Sequence, residues 1–483
     1  MRILQVNTSD KSGGAEAIAW QLFQAYRRLG HHSSLAVSQR QSKDPNVLTI
    51  PNDIYRGWWA RTWIAAGNLL SPLGGRVRGV GRMRNLLQVY IGQPGRLLNH
   101  WQGKEDFDFP GTWKLLNLPP ERPDIVHCHN LHGGWPDSVY FDLGCLAWLS
   151  QQVPVVLTLH DEWLLGGHCA HTFDCDRWKT GCGHCPDLTI HPSVLRDRTA
   201  YNWQRKQKIF SGCRLYVTTP SQWLMQEVKQ STLAPAISRS QVIPNGVDLS
   251  IFHSADKQAV RATLGIQHDS RVLLFTANGI RKNIFKDYQT LRSAVARVAE
   301  RLPGQSILFI ALGEGAPRER IGAAEVRFVP YQKDPVAVAR YYQAADVYIH
   351  AARADTFPTT VLEALACGTP VVATAVGGIP EQVMGLQVRT SALNGYDAVE
   401  ATGILVPMGD AEAMAEAIVT LLTDVGLRLR LGENAAIGAQ RRFALEHQVD
   451  AYLEFYEHAI EDCKHFVVKR DWTPQEKTWH EQI

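Results

Sequence analysis

Two carboxylates on either side of a predicted helix start mark one stretch of this chain as a candidate binding site. Asp355 precedes the helix, and Glu363 lies inside it, eight residues later. The hydroxyls of Thr359 and Thr360 are predicted to cap the helix, and Gly368 ends it because glycine adopts a left-handed conformation without steric penalty. The free N–H groups and partial positive charge of a helix N-terminus suit a diphosphate. With an acid on either side to hold hydroxyl groups, the segment predicts a sugar-nucleotide site.

The segment from Asp355 to Glu363 resembles the E-x7-E signature of the retaining family 4 glycosyltransferases, which have the GT-B fold, with Asp in place of the first Glu. The resemblance covers residues 1 to about 443 and weakens between about 53 and 104. It implies an enzyme that uses a UDP- or GDP-sugar donor, with Asp355 on the sugar hydroxyls and Glu363 on the ribose. Because Asp is one methylene shorter than Glu, the sugar contact is expected to shift or to pass through a water.

A basic loop follows the predicted strand at 272–276. The resemblance places an Arg and a Lys here that bind the diphosphate, and these fall on Arg281 and Lys286, with Lys282 adjacent to the first. Departure of a nucleoside diphosphate builds negative charge that cations can offset without a metal, so no cofactor is expected for the chemistry. A solvated basic loop is the alternative.

Loops after three strands of the first half are expected to face the same ligand. Gly13 and Gly14 follow the first strand and open a helix, where the backbone can approach an anion closely. In similar proteins a His after another strand contacts the donor sugar or the acceptor, and here that is His160. The acceptor side is predicted to be lined by His127, His129 and Asn130. A tight turn, a metal site and hydrogen-bonded strand ends are the alternatives.

A second glycine-rich turn precedes another short helix in the second half. Gly377 and Gly378 come just before a Pro, and Glu381 follows in the first turn. The family has the same turn near the donor sugar, so these residues are predicted to bind the donor. A purely structural turn is the alternative.

A cysteine cluster is the feature that a generic glycosyltransferase does not explain. Four cysteines lie within seventeen residues, and the last two form a C-x2-C pair: Cys169, Cys175, Cys182 and Cys185. Four thiolates can bind zinc in a tetrahedral array, which predicts a structural zinc site with His168, His171 and His184 as other candidate ligands. Reduced structural cysteines and a redox-labile pair are the alternatives. Similar Cys-rich insertions occur in some bacterial polysaccharide-assembly transferases.

The stretch 56–101 combines arginine with tryptophan and contains no acidic residue. Its arginines are Arg56, Arg61, Arg76, Arg78, Arg82, Arg84 and Arg96. Basic charge with interfacial tryptophan suits an anionic membrane surface, which would bring a lipid-linked acceptor to the site. Nucleic acid is not expected as a partner, because no recognised binding motif for it occurs. A solvated helical insertion with a buried aromatic face is the structural alternative.

Composition restricts the class of protein. The net charge of +3 does not suggest a nucleic-acid protein. No run of about eighteen uncharged apolar residues predicts a membrane span, and the first residues resemble a strand rather than a signal peptide. Nine cysteines, an odd number, favour a reducing cytoplasm over a disulfide framework. We therefore expect a cytoplasmic protein, peripheral on the inner face of the plasma membrane.

Strand and helix patterns alternate along the whole chain, which is typical of parallel α/β proteins. At 483 residues the chain is too long for one ordinary domain. Strands are predicted at 3–7, 34–38, 124–128, 154–160, 215–219, 272–276, 306–311, 326–329, 347–350 and 370–373. These and the resemblance predict an α/β GT-B fold, in which two doubly wound Rossmann-like domains face each other across a cleft.

Three units are predicted along the chain. An acceptor-side domain covers 1–243 and carries the basic and aromatic insertion 54–104 and the Cys-rich segment 168–186. A donor domain covers 244–445, and helices over 446–483 pack back on the first domain.

Three functions are compatible with these features. The leading one is a retaining transfer of sugar from a UDP- or GDP-sugar to a lipid-linked or polysaccharide acceptor, in cell-surface polysaccharide biosynthesis. The others are a nucleotide-sugar epimerase of the same fold and a non-catalytic sugar- or lipid-binding partner of another transferase. Turnover of donor without acceptor would indicate the epimerase, and donor binding without transfer would indicate the partner.

Overall fold

The computed structural model describes residues 1–11, 13–74, 76–136, 139–387 and 395–467. Within these residues the strands form two seven-stranded sheets. The strands of the first sheet are β1 (Arg2–Ser9), β2 (His32–Gln39), β3 (Val47–Thr49), β4 (Ile125–Cys128), β5 (Val155–Thr158), β6 (Leu215–Thr219) and β7 (Ile237–Val242). Those of the second are β8 (Arg271–Thr276), β9 (Ile307–Leu312), β10 (Glu319–Ile321), β11 (Ala324–Val329), β12 (Val347–His350), β13 (Val371–Thr374) and β14 (Gly403–Val406).

Helices connect the strands, as expected for parallel sheets. Along the first half they are α1 (Gly14–Arg28), α2 (Trp58–Asn68), α3 (Val80–Asn85), α4 (Pro94–Trp101), α5 (Cys145–Gln152), α6 (Arg177–Thr180), α7 (Thr199–Phe210) and α8 (Gln222–Gln230). Along the second half they are α9 (Lys257–Thr263), α10 (Tyr288–Arg301), α11 (Pro335–Ala344), α12 (Thr359–Ala366), α13 (Ile379–Gln382), α14 (Ala411–Thr423), α15 (Val425–Phe443) and α16 (Leu445–Val467).

Apart from the short edge strand β10, the order of strands in each sheet reverses once, and this positions the candidate site. The first sheet runs β3-β2-β1-β4-β5-β6-β7 and is parallel throughout. The second runs β10-β11-β9-β8-β12-β13-β14, and its only described antiparallel pair is β10 with β11. A crevice opens at the carboxyl ends of the two strands where the order reverses. These strands are β1 and β4 in the first sheet, and β8 and β12 in the second.

The final helix returns to the first sheet after the chain has completed the second. On α16, the hydroxyl of Tyr456 lies 2.6 Å from Nδ1 of His127 and 3.1 Å from the hydroxyl of Tyr26. The hydroxyl of Tyr452 lies 3.0 Å from Oγ1 of Thr158. All of these side chains are buried, so α16 is part of the core of the first sheet.

The two doubly wound sheets confirm the predicted α/β, GT-B architecture. Each of the ten predicted strands overlaps an observed one, and β3, β7, β10 and β14 were not predicted. None of the helices in the described part of the chain is long and apolar enough to cross a membrane.

Candidate active site

Lys286 and Asp355 meet at the point where the strand order of the second sheet reverses. Lys286 lies in the loop after β8, and Asp355 lies in the loop after β12, the neighbouring strand. The ammonium group of Lys286 donates a hydrogen bond to the Asp355 carboxylate. Their side chains are 16% and 15% exposed, respectively, so the pair is sheltered yet open to a ligand. The fold therefore brings together two residues that lie 69 positions apart in sequence.

His350, at the end of β12, completes this group and was not predicted. Its Nε2 lies 3.4 Å from Nζ of Lys286 and 3.3 Å from a carboxylate oxygen of Asp355. Burial and the neighbouring ammonium lower the pKa of His350 to about 4, so the ring is neutral at pH 7. Burial alone would raise the pKa of Asp355, but Lys286 and His350 outweigh it and hold that pKa well below its usual range. At neutral pH the site therefore holds one carboxylate and a neutral imidazole beside the amine.

Glu363 lies on α12, with its carboxyl group turned towards β12 and α11. The hydroxyl of Tyr342 donates a 2.8 Å hydrogen bond to it. Burial raises the pKa of Glu363 to about 7, and the Tyr342 hydrogen bond opposes that rise. Glu363 is therefore the acid of this site that titrates close to neutral pH.

The start of α12 differs from its prediction. Thr359 and Thr360 are the first two residues of the helix, and Pro358 occupies the capping position, which no side chain caps. Neither threonine hydroxyl is therefore the predicted helix cap. Without a side-chain cap, the first backbone N–H groups of α12 remain available to an anion.

Gly377 and Gly378 let the next loop pack directly on the backbone that carries Asp355. The N–H of Gly378 donates to the carbonyl of Asp355 at 3.3 Å. A Cβ added to Gly377 would lie 1.9 Å from that same carbonyl oxygen, and one added to Gly378 would lie 2.0 Å from the carbonyl oxygen of Thr356. Gly377 also has a φ of +54°, which favours glycine. The observed role of this pair is thus to fix the loop around Asp355.

Glu381 makes a contact between the two sheets instead of facing an open donor site. Its carboxylate accepts hydrogen bonds from the backbone N–H groups of Gln222 and Trp223, at 2.7 and 2.8 Å. These residues form the first turn of α8, where an acid is favoured by the exposed N–H groups. Both oxygens of Glu381 take part in this contact between the domains, and its role in donor binding stays a prediction.

Arg281 is held by an acid that the sequence analysis did not single out. Its guanidinium donates to Glu314 at 2.7 Å, and its backbone N–H donates to the other oxygen of that carboxylate at 2.9 Å. The guanidinium also stacks over the ring of Phe328. Arg281 and Lys286 are therefore each paired with an acid, Arg281 with Glu314 and Lys286 with Asp355.

The glycine loop of the first sheet contains an additional acid. Gly14 begins α1, and Gly13 precedes it. A Cβ on Gly13 would lie 2.0 Å from the Glu16 carboxylate, so a larger residue there would displace that side chain. Burial raises the pKa of Glu16. The two glycines thus lie at the carboxyl end of β1, beside an acid whose charge is disfavoured.

The histidines of the first domain divide into a core residue and a pair at the strand ends. His127 is fully buried between Thr158 and Tyr456, so its predicted place on the acceptor side is wrong. Nδ1 of His129 lies 3.0 Å from Nε2 of His160, which joins the ends of β4 and β5. Burial lowers the pKa of His160 to about 4, so its ring is neutral at pH 7.

One further contact joins these strand ends to the donor loops, and another lies within the first domain. The hydroxyl of Thr356, next to Asp355, donates to the carbonyl of His160 at 2.7 Å. The carbonyl of Asn130 accepts a hydrogen bond from Tyr140. His160 therefore contacts the Asp355 loop through its backbone, and Asn130 lies at the carboxyl end of β4 as predicted from its position.

Comparison with known proteins identifies the chain. Its residues 270–424 match the family model described as glycosyl transferases group 1, and residues 12–251 match that of glycosyltransferase family 4. A D-inositol 3-phosphate glycosyltransferase from Mycobacteroides abscessus is 32% identical over 330 residues, which span 63% of this chain and 67% of that protein. This chain is a family 4 glycosyltransferase.

Two other proteins extend the comparison. The putative colanic acid biosynthesis glycosyl transferase WcaC of Escherichia coli K12 is 29% identical over 52% of this chain and 60% of its own length. The matches thus span about two thirds or less of the length of these curated relatives. Anabaena HepE, solved in complex with UDP-glucose, shares the fold with a TM-score of 0.56 at 18% identity, covering 96% of this chain and all of HepE. Enzymes of this family and fold need no cofactor for their chemistry.

The cysteines of this glycosyltransferase are all free thiols. Cys185 lies 3.3 Å from Nε2 of His168, and burial raises the pKa of both Cys169 and Cys182. Among the residues that the structure describes, no three His, Cys, Asp or Glu side chains are grouped so that they could hold a metal. No formed metal site is thus present at the four thiols, Cys175 included, in the described part of the chain, and the structural zinc stays a prediction.

The insertion of this glycosyltransferase exposes its apolar side chains instead of burying them. Trp58 is 76% and Leu69 81% exposed. Other large exposed side chains of the insertion are Leu73, Val77, Met83, Leu86, Tyr90, Leu98 and Trp101. Two of the seven arginines are turned inward, with Arg56 paired to Asp108 and Arg96 paired to Asp106. Five arginines remain on the surface: Arg61, Arg76, Arg78, Arg82 and Arg84.

Proposed function

We propose that this glycosyltransferase moves a sugar from a UDP- or GDP-sugar to a lipid-linked or polysaccharide acceptor, with retention of configuration, in cell-surface polysaccharide biosynthesis. The observation that carries the proposal is the contact between Lys286 and Asp355 at the reversal point of the second sheet. Glu363 lies on α12, the helix that follows the Asp355 loop. A cation for the diphosphate, an acid for the sugar and an acid for the ribose are thus presented on neighbouring loops.

In the proposed reaction, an acceptor hydroxyl attacks C1 of the donor sugar from the face that the diphosphate leaves. The C1–oxygen bond to the diphosphate breaks as the new bond forms, and a departing phosphate oxygen takes the hydroxyl proton. Lys286 offsets the negative charge that builds on the leaving group. Asp355 is ionised and holds the sugar hydroxyls, so it orients the donor without attacking it.

A cavity on the first domain supports an acceptor site there. It has a volume of about 680 Å³ and lies between the insertion and the carboxyl ends of β2 and β3. Arg56, Arg84 and Arg96 line it together with Asn85 and Tyr140. Because the carboxyl ends of parallel strands meet at one edge of a sheet, the cavity opens on the same edge as the loop of Gly13. Its size and basic lining suit a phosphorylated or carbohydrate group.

The surface of the insertion supports a membrane-bound acceptor. Exposed tryptophan and leucine side chains occur in the same segment as five surface arginines, and this combination suits anionic lipid. This surface supports our proposal that the enzyme acts in the cytoplasm, peripheral on the inner face of the plasma membrane.

Nucleotide release from a panel of UDP- and GDP-sugars, with and without a bacterial lipid extract, tests the proposed function. We expect release from one donor, raised strongly by the lipid. Release that is equally fast without any acceptor would favour an epimerase or hydrolase instead. No release from any donor by folded protein would contradict catalysis and favour a non-catalytic binding partner.

A further inference from the structure

Part of the Cys-rich segment crosses from the first domain to the donor loop of the second. We call residues His171, Thr172 and Phe173 the cleft tip. The ring of Phe173 stacks on that of Phe285, with centroids 6.1 Å apart and planes at 10°. The ring of His171 meets Phe285 edge-on at 5.0 Å. Phe285 immediately precedes Lys286, so the cleft tip packs on the residue next to the proposed leaving-group cation.

The backbone of Phe285 is bound to the other half of the donor site. Its carbonyl accepts hydrogen bonds from the N–H of Arg353 at 2.9 Å and from that of Ala354 at 3.5 Å. Ala354 immediately precedes Asp355. The guanidinium of Arg353 also lies over the ring of Phe173, 5.8 Å from its centroid. Phe285 therefore connects the chain segments that carry Lys286 and Asp355, and the cleft tip contacts both segments.

The first domain holds the cleft tip firmly. Glu162, which is buried, accepts a 2.5 Å hydrogen bond from the N–H of Thr172, and its own N–H donates to Ala170 at 2.8 Å. Glu162 follows β5 by four residues, two positions after His160. The cleft tip is thus tied to the same strand end that contacts the Asp355 loop through Thr356.

Phe173 adopts a backbone conformation that a phenylalanine rarely takes. Its φ is +50°, in the left-handed region, which costs a side chain with a Cβ conformational free energy. Such strain persists where surrounding contacts compensate for it, and it is concentrated at ligand-binding and catalytic sites. The stack on Phe285 and the guanidinium of Arg353 supply those contacts.

We propose that the cleft tip is a positioning element of the donor site, in which Phe173 holds Phe285 and, through it, the Lys286–Asp355 pair. The proposal rests on the proposed donor-binding role of that pair. It gives the Cys-rich segment a function that needs no metal: the segment carries an aromatic contact across the cleft. Phe173 does not touch the reacting atoms, so it is a positioning residue and not a catalytic one.

Nucleotide affinity and transfer kinetics of Phe173 variants test this role. We expect Phe173→Ala to weaken binding of the nucleotide that the wild type prefers, UDP or GDP, by about three- to tenfold, which is the range of one aromatic pair. Donor KM should rise and kcat should fall, because both binding and orientation of Lys286 depend on the stack. Phe173→Tyr keeps the ring and should restore both. Leu195→Ala, an exposed position of the first domain, serves as the matched control.

Two further variants separate the ring contact from an effect on folding. Phe173→Gly removes the ring but accepts the positive φ without strain, so it should be at least as stable as Phe173→Ala and lose the same affinity. Phe285→Ala removes the partner from the other domain. The two changes remove the same stacked pair, and each also removes a contact of its own, Phe285 with His171 and Phe173 with Arg353. The loss of affinity in the double variant with Phe173→Ala should therefore be smaller than the sum of the two single losses.

The outcomes are distinct. Wild-type protein that binds neither nucleotide contradicts the proposed function itself. If the wild type binds nucleotide and Phe173→Gly has the same affinity and kinetics as the wild type, only the positioning role of the cleft tip is overturned. Fully additive losses in the double variant would also overturn it, because the two rings would then act independently.

Discussion

Lys286 is the residue on which the leaving-group chemistry of this account depends. Replacing it with alanine removes the cation opposite the developing phosphate charge, and we expect the rate of transfer to fall by about a hundred- to a thousandfold. Initial rates of nucleotide release measure this. Lys282→Ala is the control, since Lys282 is exposed and four residues away in the same loop. A Lys286→Ala enzyme within threefold of the wild type would contradict the role.

Glu363 should make nucleotide binding depend on pH near neutrality. Its pKa of about 7 means that the free enzyme holds a proton there at pH 6 and releases it by pH 8. A carboxylate accepts ribose hydroxyls better than a neutral acid does, so nucleotide affinity should rise across that range. Glu363→Gln should bind more weakly at pH 8 and lose the pH dependence. Calorimetric titrations at pH 6, 7 and 8 measure both.

The same group links stability to pH. The pKa of Glu363 in the folded protein is raised above its ordinary value of 4.5. Its protonated form therefore contributes stability that is fully present below pH 4.5 and is lost as the pH rises through about 7. The loss amounts to about 3 kcal/mol. Glu363→Gln lacks this titration, and the gap in melting temperature between variant and wild type should therefore shift in favour of the variant from pH 5 to pH 8. A constant gap would contradict the raised pKa.

Side chains near the site were predictable from sequence where the strand order alone brings them together. Lys286 and Asp355 follow neighbouring strands, and loop positions after such strands converge in any doubly wound sheet. The contacts of Glu381 and His127 were not predictable. The partner of Glu381 lies on α8, which reaches it only when the two domains dock, and the partner of His127 lies on α16, where the chain returns to the first domain. No local pattern in the sequence encodes those contacts.

At the scale of elements, the insertion made of α2, α3, α4 and the turns between them is the surface that should bind membranes. We expect the wild type to float with vesicles containing anionic lipid and to remain behind with neutral vesicles. Changing Arg76, Arg78 and Arg82 to Gln removes charge at about 1 kcal/mol per residue near the surface and should abolish flotation at physiological salt.

Two control variants separate the contribution of charge to membrane binding from that of apolar side chains. Trp58→Ala should weaken flotation with its salt dependence kept, because it removes apolar contact and no charge. Arg430→Gln on α15, an exposed arginine of the other domain, should have no effect. Equal binding of the triple variant and the wild type would contradict a membrane role for this surface.

Apart from β14, the buried strands were predictable and the short or exposed ones were not, for a physical reason. Strands such as β4, β5, β12 and β13 are buried at every position and appear in the sequence as continuous apolar runs. The edge strands β3 and β10 are three residues long, and β7 is mostly polar and partly exposed, so none of these three carries that pattern. The exposure of the apolar residues of the insertion was equally unpredictable. Periodicity shows that apolar residues share one face of a helix, but it does not show whether that face is buried.

For the whole molecule, the cleft is defined by contacts that join the two domains at separate places. Glu381 holds the start of α8, Thr356 holds the carbonyl of His160, and α16 ties the end of the second domain to the first sheet. The cleft tip adds an aromatic contact beside Lys286. These contacts fix the loop after β5 and the start of α8 opposite the donor loops, which is the arrangement a transfer between two substrates requires.

The central claim is that the Lys286–Asp355 site binds and orients the donor sugar. The rate of sugar transfer by Asp355→Ala tests this claim most directly. The measurement uses the donor and lipid extract that support the fastest release by the wild type, with Asp174→Ala, an exposed acid of the Cys-rich segment, as the control. We predict a loss of about a hundredfold in kcat for Asp355→Ala, because the sugar is no longer oriented, and no loss for the control. Undiminished transfer by folded Asp355→Ala would contradict the account.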